Sequence, residues 1–425
     1  MRDIKLCVVG AGGSYTPELV AGILERAHAD LPVVELSLTD TDSERLDIMA
    51  GLARRMIEHR QRRIAVTTSP EVAEAARNAD FVVTQIRVGG MRARHIDETI
   101  PLKYGIIGQE TTGPGGMFKA LRTIPVMIDI AETVSRVAPN AFILNYTNPS
   151  GIVTEAVLTQ TSARLLGLCS SIPQMQVMIA GKLKPEFGDV RVQSVGLNHL
   201  GFVHRILAGG EDVTQAGLNW LAAHDDKTCA MTTSALKSAQ VLGAMPVLKY
   251  GDLYFHRTAE VQALRKAVHT RAETVTVIEA EVLAQAADPE TLDRPTALIR
   301  RGGDGYSAVT FDTLNAILNN SGDEIVMSTL NRGAVAGLPD DVAVETVCRV
   351  DASGARALPM GEMPVAFRGL VQAVKTHETL TVKAAMTRSR ALALQALLAH
   401  PLVGDIDVAA PMLDEMLAAH GLDFQ

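Results

Sequence analysis

Leu6-Cys7-Val8-Val9-Gly10-Ala11-Gly12-Gly13-Ser14-Tyr15-Thr16-Pro17-Glu18-Leu19-Val20 decides the fold of this chain. A short apolar run suited to a strand enters a glycine-rich turn and leaves as an amphipathic helix. Glycines let the backbone turn tightly and approach a pyrophosphate, while the helix N-terminus faces its negative charge. The position of the third glycine in the usual GxGxxG pattern is Tyr15. Asp40 closes the next strand-like run, Val34–Thr39, where an acid can hold ribose hydroxyls. Gly10, Gly12, Gly13, Ser14 and Asp40 are therefore the expected cofactor contacts, and the acid favours NAD over its 2′-phosphorylated form. The competing reading is a tight strand-to-helix turn with no ligand.

The rhythm continues outward. Ile64–Thr67, Phe81–Gln85, Phe142–Tyr146 and Leu165–Leu168 read as further strands, with helical patterns at Pro17–Arg26, Ser43–Arg60, Val72–Ala76 and Leu121–Val137. Such alternation means βαβ units, right-handed crossovers and a doubly wound parallel sheet. Beyond residue 190, Val190–Leu197 and Val203–Leu207 suit an antiparallel ribbon. Helical patterns follow at Ala259–Val282, Val309–Asn319, Gly369–Gln395 and Ala410–His420, broken by strand-like Glu324–Ser328 and Val342–Val350. The expectation is an α/β protein: a Rossmann-type domain over 1–165 and an α/β catalytic domain over 166–425, together like a lactate or malate dehydrogenase.

Composition narrows the partners. The 425 residues carry a net charge of −8 without a basic block, which argues against nucleic acid. No apolar run reaches the ~18–20 residues needed to cross a bilayer. The N-terminus shows no secretion signal, and Cys7, Cys169, Cys229 and Cys348 form no CxxC pair, so a cytoplasmic location is expected.

Polar clusters recur where parallel strands should end: Arg87–Arg94, Gly108–Gly116, Asn145–Pro149, Gly167–Cys169 and Gly196–His199. Ligands bind at that edge of open α/β sheets. Cys169 and His199 would give a divalent metal one soft and one borderline donor. Taken alone, each residue reads first as a packed cysteine or a satisfied histidine.

Gly10–Leu19, Gly89–Glu98, Gly108–Gly116, Asn145–Gly151, Gly167–Cys169, Gly196–Leu200, Arg301–Ser307 and His400–Val403 resemble, in order, the signatures of glycoside hydrolase family 4. This NAD-dependent family stands outside the two-carboxylate glycosidase scheme. The likeness is greatest to its 6-phospho-β-glucosidases. It implies NAD and a divalent ion, usually manganese(II), held by Cys169 and His199. It implies substrate contacts from Arg94 and Asn148, a supporting role for Glu110, and a tyrosine base. Tyr250 matches that base, with Tyr254 as the alternative; a nearby metal or Lys249 would stabilise the phenolate. The implied chemistry is redox-neutral: transient oxidation at carbon 3, Lewis-acid polarisation, removal of the carbon-2 proton, elimination of the aglycone and addition of water. A homodimer or homotetramer is implied as well.

Three elements depart from the phospho-β-glucosidase pattern. Cys169 is followed by Ser170, the base element reads Tyr250-Gly251-Asp252-Leu253-Tyr254, and the late element reads Arg301-Gly302-Gly303-Asp304-Gly305-Tyr306-Ser307. The drift touches the sugar side more than the cofactor side. The expected substrate is a small glycoside with an anion at carbon 6, a phosphate first and a sulfonate, as in sulfoquinovosides, second. Arg94, Lys249 and Arg301 are the candidate anion partners. A sugar or hydroxy-acid dehydrogenase is the other enzyme class on this fold and would accumulate NADH. An NAD-sensing module would bind without turnover.

Overall fold

The computed structural model describes residues 2–224, 233–302 and 305–425. Cys229, Gly303 and Asp304 lie outside them. The first strands are β1 (Ile4–Val9), β2 (Val33–Thr39), β3 (Ala65–Thr68), β4 (Phe81–Thr84), β5 (Phe142–Asn145) and β6 (Arg164–Gly167). They pair in parallel in the order β3-β2-β1-β4-β5-β6, the doubly wound arrangement expected. Alternate residues of each strand feed opposite faces. Ile4, Leu6, Val8, Phe81, Val83 and Leu144 enter one core, and Cys7, Val9, Val82, Ile143 and Leu165 enter the other. Helices α1 (Thr16–Leu24) and α2 (Ser43–His59) cover the first face. The second face is covered by α3 (Val72–Ala75), α5 (Gly113–Val137) and α6 (Ser150–Gln160), with α4 (Gly90–Lys103) packed between α5 and helix Arg271–Ala287.

The sheet does not stop at β6. Strands Asp323–Leu330, Ala343–Asp351 and Gly354–Ala357 add antiparallel to it, giving nine strands, with Ser328 opposite Gly167. The division expected at 165/166 falls inside β6. Helix α7 (Ser171–Phe187) leads to the antiparallel ribbon β7 (Val190–Leu197) and β8 (Leu200–Ala208), whose two-residue loop is Asn198-His199.

Two expected helices are each broken in two. Ala259–Val282 becomes Arg257–Lys266 and Arg271–Ala287, because Thr270 and Glu273 form a capping box that starts a new helix. Gly369–Gln395 becomes Val365–Thr387 and Arg390–Ala399; Arg388 turns left-handed and Ser389 caps the second. No described helix is long and apolar enough to cross a membrane.

Candidate active site

The site gathers at the carboxyl ends of β1, β4, β5 and β6, completed by the β7–β8 loop. At the end of β1, Gly10 has φ +87°, and the N–H groups of Gly10 and Ala11 both donate to the Thr39 carbonyl, at 2.9 and 3.0 Å. Gly12 N–H donates to Asp40 Oδ2 at 2.8 Å, so the acid is fastened to the turn. A Cβ on Gly12 would lie 2.9 Å from Arg45 Cβ and 3.0 Å from Asp40 Oδ2, which leaves glycine the residue that fits. A tight glycine turn opening a helix, with an acid ending the adjacent strand, is a cradle for an adenine dinucleotide. The Ser14 hydroxyl donates to Glu279 at 3.4 Å.

Tyr15 explains the missing third glycine. Its hydroxyl donates to the Gly302 carbonyl at 2.6 Å and its ring stacks on Tyr306 at 4.6 Å; Tyr306 also meets Tyr146 at 4.4 Å. These three rings link the turn to the strand ends beside it. Arg301 is buried at the same place, its guanidinium 5.1 Å from the Tyr15 ring and 3.4 Å from Glu279. The structure therefore sets this candidate anion partner on the flank of the nucleotide turn.

A cationic cluster lies after β4. Glu110 forms ion pairs with Arg87, with Arg94 at 2.9 Å and with Lys119 at 2.7 Å; Arg94 also meets Glu98 at 2.7 Å. Burial alone would raise the Glu110 carboxyl, but Lys119, Arg87 and Arg94 outweigh it and hold it well below its usual range. Burial pushes the Lys119 ammonium down to about 7, with Arg87 adding to the effect and Glu110 opposing it. Arg87, Arg94 and Lys119 thus converge on Glu110, with Glu98 against Arg94. Arg271 donates to the Arg301 carbonyl at 2.9 Å and feels the charge of Arg94, adding a further cation nearby.

Cys169 follows β6, and its Sγ lies 3.8 Å from Nε2 of His199. Thirty residues of sequence separate two donors that the fold brings together. His199 holds φ +63°, a left-handed conformation that non-glycine residues rarely adopt and that marks functional loops. Burial pushes its imidazole down to about 3, so it is neutral and offers a lone pair. Burial, with Glu345 nearby, pushes the Cys169 thiol up to about 11; a divalent metal would reverse that. Among the described residues no cluster of three or more His, Cys, Asp or Glu forms a closed metal cage. Two protein donors leave coordination positions for substrate oxygens, as a catalytic metal requires.

Tyr250 stacks on the His199 ring, centroids 3.8 Å apart and planes 6° from parallel. The Tyr254 hydroxyl lies 3.5 Å from His400 Nε2, in a small cavity that His199, His377 and Glu378 also line. Lys249, the expected phenolate partner, is solvent-exposed with φ +71°, because it caps the short helix Tyr250–Phe255 from outside. That expectation is corrected: burial dominates at Tyr250 and raises its hydroxyl, and the cation of its surroundings is Arg94. Asn148, at the end of β5, donates to the Tyr146 carbonyl at 3.2 Å and accepts from Ser150 N–H at 3.4 Å. Lys119, Glu279 and Glu345 carried no separate signal in the sequence; each is a single polar residue within an otherwise apolar or helical pattern.

Two family models match the chain: family 4 glycosyl hydrolase over residues 5–184 and the family 4 glycosyl hydrolase C-terminal domain over residues 194–403. The chain belongs to glycoside hydrolase family 4. It is an enzyme of the glycosidase class. This family 4 hydrolase is 39% identical to the probable 6-phospho-beta-glucosidase of Bacillus subtilis over 99% of its own length and 97% of the relative's. It is 34% identical to the 6-phospho-beta-glucosidase BglT of Thermotoga maritima over 98% of both. A crystal structure of the Thermotoga maritima enzyme with manganese, NAD+ and glucose-6-phosphate superposes with a TM-score of 0.89 at 33% identity, covering 99% of each chain. Malate dehydrogenase from Salinibacter ruber, at 13% identity and a TM-score of 0.50 over 98% of this chain and all of its own, shares the fold alone.

Proposed function

We propose that this family 4 glycosidase hydrolyses 6-phospho-β-glucosides, with NAD on the Gly10–Tyr15 turn and manganese(II) between Cys169 and His199. The observation that carries the reading is the convergence of Cys169 and His199 at 3.8 Å, with Tyr250 stacked on the histidine. When bound, NAD and the metal supply reversible oxidation of the sugar at carbon 3 and Lewis acidity at the adjoining oxygens. Gly10, Gly12, Gly13 and Ser14 leave the backbone open to the pyrophosphate, and Asp40 receives the ribose hydroxyls. Neutral His199 and Cys169, as thiolate, serve as metal donors. Tyr250, as a phenolate that the adjacent metal ion would stabilise, takes the proton from carbon 2, an acidified position next to a carbonyl, and holds it at its phenolic oxygen. Arg94 and Asn148 orient the sugar, and the cluster of Arg87, Arg94 and Lys119 receives the 6-phosphate. Arg301 and Arg271 supply charge from the nucleotide side. The names of the full-length relatives favour phosphate over sulfonate at carbon 6 and hydrolysis over net oxidation. We infer also a nucleotide-binding domain over about 1–165 followed by a catalytic one, a cytoplasmic location and a homodimer or homotetramer.

The test is to supply NAD, manganese(II) and a reductant with chromogenic 6-phospho-α- and β-glucosides and a sulfoquinovoside, recording aglycone release and NADH absorbance together. Release from the phospho-β-glucoside that needs both additions and leaves no lasting NADH is the expected result. Steady NADH without aglycone release would sink the glycosidase assignment of the substrate site.

A further inference from the structure

A carboxylate that the proposed chemistry does not use stands behind the metal donors. Glu345 lies on the strand Ala343–Asp351, opposite Ser328, and is 3% exposed. Its Oε1 accepts from Asn198 Nδ2 at 2.9 Å, while Oε2 is buried with no hydrogen-bond partner. Burying a carboxyl with half its acceptors idle costs free energy, and an apolar residue of that size would serve the core better. Local violations of this kind gather where function demands them. Asn198 is the link. It directly precedes His199 in the β7–β8 loop, and His199 Nε2 lies 3.8 Å from Cys169 Sγ. Glu345 thus ties the strand to the loop that presents His199.

We propose that Glu345 is a positioning residue of the metal centre: its hydrogen bond fixes Asn198, and with it the β7–β8 loop that holds His199 Nε2 against Cys169 Sγ. The inference rests on the metal reading above. Partners of this type orient first-contact ligands, and their loss typically lowers metal affinity about 10–100-fold. Glu345 needs only to accept a hydrogen bond, so a neutral isostere that keeps the acceptor should keep the effect.

The experiment measures manganese(II) affinity by electron paramagnetic resonance and the thiolate-to-cobalt(II) charge-transfer band of the cobalt-substituted chain, in wild type, Glu345→Gln and Glu345→Leu. NAD binding and the apo-protein melting temperature report the fold. Glu345→Leu is expected to bind manganese about tenfold or more weaker, with a shifted or weakened band, unchanged NAD affinity and an apo melting temperature equal to or above wild type. Glu345→Gln is expected to stay near wild type. Should Glu345→Leu fail to fold, Asn198→Ala removes the same link and should show the same spectral change. A wild-type band that persists unaltered, with unaltered affinity, in Glu345→Leu or Asn198→Ala overturns this inference alone. A wild type with no metal-dependent band overturns the metal reading and this inference with it.

Discussion

Tyr250 and Tyr254 lie four residues apart, yet it is Tyr250 that stacks on the metal donor His199, while the Tyr254 hydroxyl reaches His400. Tyr250→Phe should therefore cut turnover by about 10²–10⁴-fold, the usual worth of a positioned base. Product that the wild type forms in deuterated water should carry deuterium at carbon 2, read by mass spectrometry, because each turnover removes that proton. Tyr254→Phe should stay within about tenfold of wild type, since it removes a packing hydroxyl; equal losses in both variants would remove Tyr250 from the role. At the nucleotide turn, Gly12→Val places a branched side chain where even a Cβ would crowd Arg45 and Asp40. Its NAD dissociation constant, measured by calorimetry, should rise at least about tenfold, equivalent to about 1.4 kcal/mol of lost binding. Gly12 and Asp40 were legible because a turn's backbone demand is local. Glu345 was not, because one acid within a β-patterned run looks the same whether it faces water or a buried amide.

At the scale of elements, α4 delivers Arg94 and Glu98, and its position depends on Gly108. A Cβ there would lie 1.7 Å from the Glu98 carbonyl, so Gly108→Ala must push α4 outward. A stability loss of about 1–3 kcal/mol is expected from overpacking, together with a raised KM for the phosphorylated sugar. A stability loss with unchanged KM would separate α4 from substrate binding. Helix Arg271–Ala287 begins at the Thr270 capping box and presents Arg271 and Glu279 to the nucleotide side. Thr270→Ala should lower the urea-unfolding free energy by about 1 kcal/mol. New helices start at Thr270 and Ser389, but apolar periodicity ran through both and merged neighbouring helices. Periodicity reports which face is buried; a break in direction that keeps the same face buried leaves the pattern nearly intact.

For the whole molecule, acid is the expected weak point. Burial holds His204 and His377 at about 4 in the folded state, below the ordinary 6.5 of the unfolded chain. Between those values the unfolded chain binds more protons, so stability is full above about 6.5 and falls as the pH drops towards 4. Each histidine contributes up to about 1.4 kcal/mol per pH unit in that window. Urea midpoints of the apo-protein should fall steadily from pH 7 to pH 5, and His377→Gln should shallow the slope; an unchanged slope would exclude His377. The parallel half-sheet, the glycine turn and the order of polar clusters were determined by the sequence itself, because φ, period-2 alternation and capping act over a few residues. Only the tertiary structure decided that Cys169 meets His199, that Tyr250 rather than Tyr254 lies beside them, that Lys249 faces solvent, and that Arg301 flanks the nucleotide turn. It also decided that strands from residues 323–357 extend the nucleotide-binding sheet at β6 and bring Glu345 behind the metal donors. These are pairings across tens to hundreds of residues, set by which buried faces fit together, and no short window of sequence contains both partners.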